Sequence, residues 1–159
     1  LFVLAIITIK SFPLSSVNLY GYTTYHNKYV YVESIIMNSL DIADRVNTEV
    51  NNYLRYCRDI DLYSEQEYWC VPKGTLGDCE DYVLLKRKKL IEKGWDLDKI
   101  NIVTCVNSRG EGHAVLYVQT DHGGFILDNC NPSPINHTST SYKWQEILRD
   151  GQWYELLGF

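Results

Sequence analysis

The feature that most constrains the fold is a change of hydrophobic period at Gly94. Before it, apolar residues recur at three- and four-residue spacings. After it, the runs KINIVTCV and GHAVLYVQT are rich in β-branched residues and lack helical spacing. Helices followed by consecutive strands are typical of α+β domains, in which a helix packs on an antiparallel sheet. The sequence therefore predicts an α+β fold.

Two helices are predicted before this change of period. Apolar residues at helical spacing predict an amphipathic helix over Ser39–Arg58. A second helix begins at Asp78, a good N-cap residue, and Asp81 at position N3 completes a reciprocal capping pair. Gly94 ends this helix as the C′ glycine, giving a length of about fifteen residues. Cys79 therefore lies in the first turn of the second helix.

The rest of the chain is predicted to be mostly extended. KINIVTCV, GHAVLYVQT and GFILDN, joined by the turn-forming NSRGEG and DHGG, predict at least three consecutive antiparallel strands. The terminal SYKWQEILRDGQWYELLGF is interpreted as a short helix followed by an extended end. Residues 18–32 are rich in Tyr, Thr and Val without helical period, so they are expected to be extended or irregular.

Composition narrows the classes of function. A chain of 159 residues is one ordinary domain. The net charge of −5 disfavours a phosphate-binding surface, so no nucleic-acid partner is expected. Thirteen tyrosines and four tryptophans suit either a compact core or a groove that holds an extended ligand, and the core is the commoner use.

The first nine residues, LFVLAIITI, are uncharged and mostly apolar. Such a run is too short for a membrane span and matches the apolar region of a secretory signal. The favoured interpretation is a truncated signal over residues 1–16, with the domain over residues 17–159 and a periplasmic or secreted location. A buried strand is the first alternative, because the run is rich in β-formers, and a signal anchor is the second.

Five cysteines occur, an odd number without a CxxC pair: Cys57, Cys70, Cys79, Cys105 and Cys130. This pattern disfavours both a metal knuckle and a disulfide framework. At least one thiol stays free if the others pair within the chain. An unpaired thiol in an exported protein is a candidate nucleophile.

Cys79, His113 and Asp128 form the candidate catalytic set. A nucleophilic thiol needs a setting that favours the thiolate, a base that takes its proton and a third group that orients the base. The helix N-terminus at Cys79 favours negative charge and directs N–H groups at an oxyanion. His113 opens one predicted strand and Asp128 ends the next, so the two side chains can meet across a hairpin. Cysteine, histidine, aspartate is the chain order of papain-like and transglutaminase-like enzymes.

Each of these residues also has a purely structural interpretation. A cysteine at a helix start is usually a small buried apolar residue, and a histidine at a strand start is usually a satisfied polar one. Taken together, their positions at the ends of elements favour catalysis. A zinc site built from the same three side chains remains an alternative, as does a non-catalytic module that binds a protein through a tyrosine-rich face.

The block GDCEDY, together with the later GHAVLYV and LDN, resembles the bacterial transglutaminase-like cysteine proteinases, a family that includes the LapG-like periplasmic proteases. Paired asparagines like Asn47 and Asn51, and a tryptophan three residues before a proline like Trp69, also occur in this family. The resemblance covers most of the chain. It implies a papain/transglutaminase-like fold, with helices packed on an antiparallel sheet and the nucleophile at a helix N-terminus.

The resemblance also implies residue roles. Cys79 would be the nucleophile, His113 the general base and acid, and Asp128 the group that orients the imidazole. Trp69 would lie at the oxyanion or in the substrate groove. The implied activity is a thiol peptidase that cleaves a protein substrate such as a surface adhesin, under a membrane-bound regulatory receptor. Acyl transfer of the transglutaminase or peptidoglycan-amidase type is the enzymatic alternative.

Calcium is the cofactor that the resemblance implies, held beside the nucleophile by Asp78 and Glu80, with Asp81 as a third acidic residue of the same block. Uncompensated carboxylates would raise the pKa of the Cys79 thiol, whereas a bound cation would offset their charge. The alternative is structural: Asp78 and Asp81 cap the helix, and Glu80 is a solvated residue that pairs with the helix dipole.

Overall fold

The computed structural model describes two strands, residues 22–25 and 28–31, and then residues 37–156. The segment predicted as a signal, residues 1–16, lies outside the described residues. The chain divides into two compact units, Leu1–Asn38 and Ser39–Phe159. No helix in the described part is long and apolar enough to cross a membrane.

The first unit contains an antiparallel hairpin of β1 (Tyr22–Tyr25) and β2 (Lys28–Tyr31). The extended structure expected over residues 18–32 is therefore confirmed for these eight residues.

The first helix of the second unit is shorter than predicted. Helix α1 spans Ser39–Tyr53 rather than continuing to Arg58. The next residues form β3 (Arg55–Tyr56), which pairs in parallel with β4 (Leu76–Gly77). Pairing with a distant strand satisfies the backbone groups that helix continuation would have satisfied, so the helix ends early. A four-residue helix, α2 (Asp59–Leu62), follows.

Helix α3 (Cys79–Glu92) confirms the prediction for the second helix. Asp78 is its N-cap and forms a capping box with Asp81. A Cβ at Gly77 would overlap the Asp81 carboxylate, so only glycine fits there. At the other end Gly94 has φ +80°, the left-handed conformation of a C′ glycine. Cys79 thus occupies the first helical position.

The sheet has six antiparallel strands in the order β10-β9-β5-β6-β7-β8. The strands are β5 (Ile100–Val106), β6 (Gly112–Thr120), β7 (Gly123–Leu127), β8 (Ile135–Asn136), β9 (Lys143–Arg149) and β10 (Gln152–Glu155). The three consecutive strands predicted from sequence are β5, β6 and β7.

The short helix predicted in the terminal segment is wrong. The segment instead forms the β9–β10 hairpin, with β9 paired to β5 along its other edge. Asp150 and Gly151 both have positive φ and form the turn. Asp-Gly is a strong hairpin signal in a sequence. In β9 the side chain of Ile147 is buried on one face of the sheet, and this burial outweighs the weak helical preference of the neighbouring residues.

Two apolar clusters hold the second unit together, one on each face of the sheet. The larger lies between the helices and the sheet, and includes Val46 and Val50 of α1, Leu90 of α3 and Leu116 of β6. The smaller consists of Val103, Val115, Ile126 and Ile147, with aromatic side chains packed against it. Alternating residues of β5, β6 and β7 therefore face opposite layers, as period-two strands require. The fold is α+β, as predicted.

Candidate active site

Cys79 and His113 line one cavity of about 690 Å³. Cys79 opens α3, and His113 is the second residue of β6, the strand on which α3 packs. His113 is 8% exposed, so the ring is fixed within the fold at the edge of the cavity. The thiol and the imidazole predicted from sequence therefore share one concave surface.

His113 is held by Asp128, the residue that follows β7. The Nε2 atom of His113 lies 2.9 Å from Oδ1 of Asp128, and the Asp128 side chain is fully buried. Because β6 and β7 are antiparallel neighbours, the start of one strand lies beside the end of the other. With Nε2 committed to Asp128, Nδ1 is the ring nitrogen left to exchange a proton with a thiol.

Four groups donate hydrogen bonds to the two oxygens of Asp128 or share a proton with them. Besides His113, these are the Tyr142 hydroxyl at 2.5 Å, the Asn131 amide at 2.8 Å and the Cys130 backbone N–H at 2.9 Å. Burial alone would raise the pKa of Asp128, but the bonds to His113 and Tyr142 hold it well below its usual range. Asp128 is therefore a carboxylate across the physiological pH range.

The paired asparagines of α1 anchor the loop that carries this carboxylate. Asn51 Nδ2 donates to the Asp128 carbonyl at 2.9 Å and to the Asn131 carbonyl at 2.9 Å. Asn47 Nδ2 donates to the carbonyls of Asn131 and Pro132 at 3.0 and 3.1 Å. Loop carbonyls that would otherwise be buried without donors are satisfied from the helix. The two asparagines thus position the loop of Asp128, the third member of the candidate catalytic set.

The Cys79 thiol lies among groups that keep it protonated. It donates to Oε2 of Glu80 at 3.2 Å. Burial is the largest cause of a strongly raised Cys79 pKa, and the negative charge of Glu80 adds to it. A hydrogen bond from the Ala114 backbone N–H opposes both effects. The favourable field of the helix N-terminus is therefore outweighed by its acidic neighbours.

The acidic residues beside Cys79 form a buried cluster that sequence alone located in part. Ligand oxygens of Asp59, Asp78 and Asp81 all lie within 4.8 Å of one another. Asp59, from α2, was missed, although its place in the acidic run DIDLYSEQE was a usable signal. Glu80 is not one of this group of three and points toward Cys79 instead.

This cluster fits a hard cation. Asp59 Oδ1, Asp78 Oδ1 and Glu80 Oε1 are buried without a hydrogen-bond partner. Burial and the neighbouring Asp78 carboxylate raise the pKa of Glu80 to about 9, and burial raises that of Asp81 to about 6. Buried carboxylates of this kind are usually paired or bound to metal, and an all-oxygen set suits calcium.

Other residues near the site have less direct roles. Trp69 is 40% exposed and makes an edge-to-face contact with Trp153, with ring centroids 5.7 Å apart, but it does not line the cavity of Cys79. Cys130 does line that cavity, and its thiol lies within 4.8 Å of ligand atoms of His113 and Asp128. All five cysteines are free thiols.

The fold resembles solved structures of LapG from Legionella pneumophila. The calcium-bound form matches with a TM-score of 0.60 at 20% identity, over 71% of this chain and 66% of that one. A second LapG structure and an EGTA-treated form each give a TM-score of 0.61 at 21% identity. The match to the second structure covers 71% of this chain and 66% of that one, and the match to the EGTA-treated form covers 72% and 65%. The chain therefore spans just under two thirds of the length of these relatives.

The family model of the bacterial transglutaminase-like cysteine proteinases matches residues 24–158. No curated protein matches the chain. The family match includes the whole of the sheet, both long helices and every residue of the candidate site. The chain therefore belongs to the bacterial transglutaminase-like cysteine proteinases.

Proposed function

We propose that the protein is a peptidase in which Cys79 is the nucleophile, His113 the general base and acid, and Asp128 the group that orients His113. The observation that carries this proposal is the shared cavity of Cys79 and His113, with His113 bonded to a buried carboxylate on its far side. Membership of a cysteine proteinase family supports the same assignment.

The first half of the reaction forms a thioester. The Cys79 thiol gives its proton to Nδ1 of His113, and the sulfur attacks the carbonyl carbon of the scissile peptide. Asp128 keeps Nε2 bonded and stabilises the imidazolium that forms. His113 then passes the proton to the leaving amine nitrogen, the C–N bond breaks and the acyl group stays on Cys79.

The start of α3 supplies the oxyanion site. The first N–H groups of a helix have no partner within the helix and point toward negative charge at its end. Cys79 is the first residue of α3, so its own N–H is the proposed donor, whereas the N–H groups of Asp78 and Asp81 are engaged in the capping box. Trp69 is exposed beside Trp153 and is proposed to contact the substrate chain rather than the oxyanion.

Water completes the reaction. His113 takes a proton from water as the oxygen attacks the thioester carbon. The C–S bond then breaks, His113 returns the proton to the Cys79 sulfur, and the carboxylic acid product leaves. An amine in place of water would give acyl transfer from the same intermediate. Membership of a cysteine proteinase family favours water over an amine, so hydrolysis is the proposed reaction.

A calcium ion is proposed to be held by Asp59, Asp78 and Asp81, with Glu80 close by. When bound, it would supply positive charge that offsets the carboxylates and so lowers the pKa of the Cys79 thiol. The calcium-bound and EGTA-treated forms of LapG from Legionella pneumophila support the choice of ion.

The proposed substrate is a protein, and family resemblance favours a bacterial surface adhesin, with a membrane-bound receptor as regulator. The proposed location is periplasmic or secreted, which places the enzyme where such substrates occur.

The test incubates the protein in calcium with a bacterial surface-protein extract, and mass spectrometry identifies new amino termini. Wild type is compared with Cys79→Ala and with a matched control, Cys57→Ala, whose thiol lies outside the Cys79 cavity and donates to the Arg58 carbonyl at 3.8 Å. Cleavage by wild type and Cys57→Ala, but not by Cys79→Ala, is expected. Cleavage that persists in Cys79→Ala would refute the assignment.

A parallel sample with added methylamine reveals acyl transfer as methylamide products.

A further inference from the structure

The side chains of His113, Asp128 and Cys130 bring a nitrogen, an oxygen and a sulfur close together. One ligand atom from each of these three residues lies within 4.8 Å of the other two. Cys79 does not belong to this group, so the group differs from the zinc site considered from sequence, in which Cys79 was the thiol. The structure therefore offers Cys130 as the sulfur ligand and leaves Cys79 as the nucleophile of the proposed function.

This set of donor atoms suits zinc. Zinc is bound by cysteine sulfur at about 2.3 Å, and by histidine nitrogen and carboxylate oxygen at about 2.0–2.2 Å. In a tetrahedral site, ligand atoms at these bond lengths lie roughly 3.3–3.6 Å from one another. Cys130 is exposed, so a turn of its side chain closes the remaining distance to the two buried ligands. The acidic cluster proposed for calcium has only oxygen ligands and favours harder ions.

The hydrogen bonds of Asp128 leave one of its oxygens directed at this position. Oδ1 of Asp128 lies 2.9 Å from Nε2 of His113 and accepts from the Cys130 backbone N–H at 2.9 Å. Oδ2 accepts from the Tyr142 hydroxyl at 2.5 Å and from the Asn131 amide at 2.8 Å. A metal ion bonded to Oδ1 leaves both bonds to Oδ2 in place. Such outer hydrogen bonds orient a carboxylate that binds metal.

The position is reached from the active-site cavity. His113 and Cys130 both line the cavity of about 690 Å³ that also contains Cys79. Asp128 is fully buried behind His113, to which it is bonded. An ion held by these three ligands keeps its fourth position toward the cavity, where water is the available ligand. Three protein ligands and one water are a common coordination of zinc.

We propose that His113, Asp128 and Cys130 bind a zinc ion, and that zinc bound there inhibits the peptidase. Cys130 gives its thiol proton to solvent, and its sulfur bonds to the ion. If the ion takes Nε2 of His113, the ring proton moves to Nδ1; if the ion takes Nδ1, that nitrogen is blocked. In both arrangements Nδ1 no longer accepts the proton of Cys79. The inhibition rests on the proposed function, whereas the binding stands apart from it.

The test of binding uses Co²⁺ as the probe, because Co²⁺ takes the same ligands as zinc and a bond between cobalt and a thiolate absorbs in the near ultraviolet. Cys79→Ala protein is saturated with calcium, which occupies the acidic cluster, and is then titrated with Co²⁺. The absorption is expected to rise until one equivalent is bound. Added zinc should abolish it, because zinc binds such sites more tightly than cobalt does.

Two further variants in the same background identify the thiol. Cys57→Ala is the matched control and should keep the absorption, because Cys57 does not line the cavity. Cys130→Ala should lose the absorption and bind zinc more than about 100-fold more weakly, since loss of an outer partner alone costs 10–100-fold in metal affinity. Circular dichroism checks that Cys130→Ala is folded, as expected for an exposed side chain. If it is not folded, Cys130→Ser is titrated instead.

Two results would overturn the proposed site: thiolate absorption that persists in the folded Cys130 variant, or no such absorption in Cys79→Ala protein. Inhibition is then measured as the ratio of cleavage with and without zinc, in calcium. Cys130→Ala should be far less inhibited than Cys57→Ala. Equal inhibition of the two variants would overturn the inhibitory role, since zinc would then act elsewhere. Failure of the proposed function appears separately, as cleavage that survives Cys79→Ala, and it leaves the cobalt result unaffected.

Discussion

Tyr142→Phe isolates one hydrogen bond to Asp128, the buried carboxylate of the candidate active site. The Tyr142 hydroxyl donates to Asp128 Oδ2 at 2.5 Å, and its ring packs edge-to-face on His113 with centroids 5.9 Å apart. Phenylalanine keeps the ring contact and removes only the donor. Hydrogen bonds to charged groups contribute about 1.5–3 kcal/mol, so the free energy of unfolding should fall by that amount at pH 7. Urea denaturation followed by circular dichroism measures it.

The matched control is Tyr154→Phe. The Tyr154 hydroxyl bonds to Gln152 at 3.1 Å and its side chain is 48% exposed, so the expected loss is below about 0.5 kcal/mol. The folded-state pKa of Asp128 lies below its usual value, so the stabilisation is present above about pH 4 and is lost as the pH falls further. The difference in free energy of unfolding between wild type and Tyr142→Phe should therefore shrink as the pH falls below about 4. Equal losses for the two variants at pH 7 would refute the account of Asp128.

Three further changes test other parts of the structure. Calcium at a hundred times its dissociation constant should stabilise the protein by about 2.7 kcal/mol, which raises Tm by roughly 5–10 °C. Calorimetry measures Tm, and Asp59→Asn should abolish the calcium-dependent increase. Asn51→Ala, which loses two bonds to loop carbonyls, should cost about 1–3 kcal/mol in urea, whereas exposed Asn52→Ala should cost under about 0.5. Gly94→Ala should lower stability by about 1–2 kcal/mol, because φ is +80°, and an unchanged denaturation midpoint would contradict the C′ assignment.

The parts of the fold that sequence predicted well are those with a local physical signal. Asp78, Asp81 and Gly94 specify the ends of α3 through capping and backbone chirality, which act within a few residues. The three strands after Gly94 follow from period and turn residues alone. Cys79 and His113 share a cavity because the predicted elements leave them at adjacent ends.

The parts that sequence did not predict depend on contacts between distant segments. α1 ends at Tyr53 because β3 pairs with β4, a pairing about twenty residues away in the chain. Asp59 joins the acidic cluster only because α2 folds back against the start of α3, where its N–H bonds to Asp78 Oδ2 at 3.1 Å. Tyr142 reaches Asp128 from a loop with no motif of its own. Such contacts have no periodicity that a sequence displays.

The roles of Cys79 and its acidic neighbours are tested most directly by alkylation of Cys79 with iodoacetamide across pH, in calcium and in EGTA. Cys79→Ala subtracts the other four thiols, and His113→Ala reports the base. In calcium, selective labelling of Cys79 is expected near neutral pH. Labelling should be lost in EGTA, because burial and the charge of Glu80 keep the thiol protonated when no cation is bound. It should also be lost in His113→Ala, because the base is absent. Labelling of Cys79 no faster than that of an ordinary thiol in both solutions would contradict an activated nucleophile.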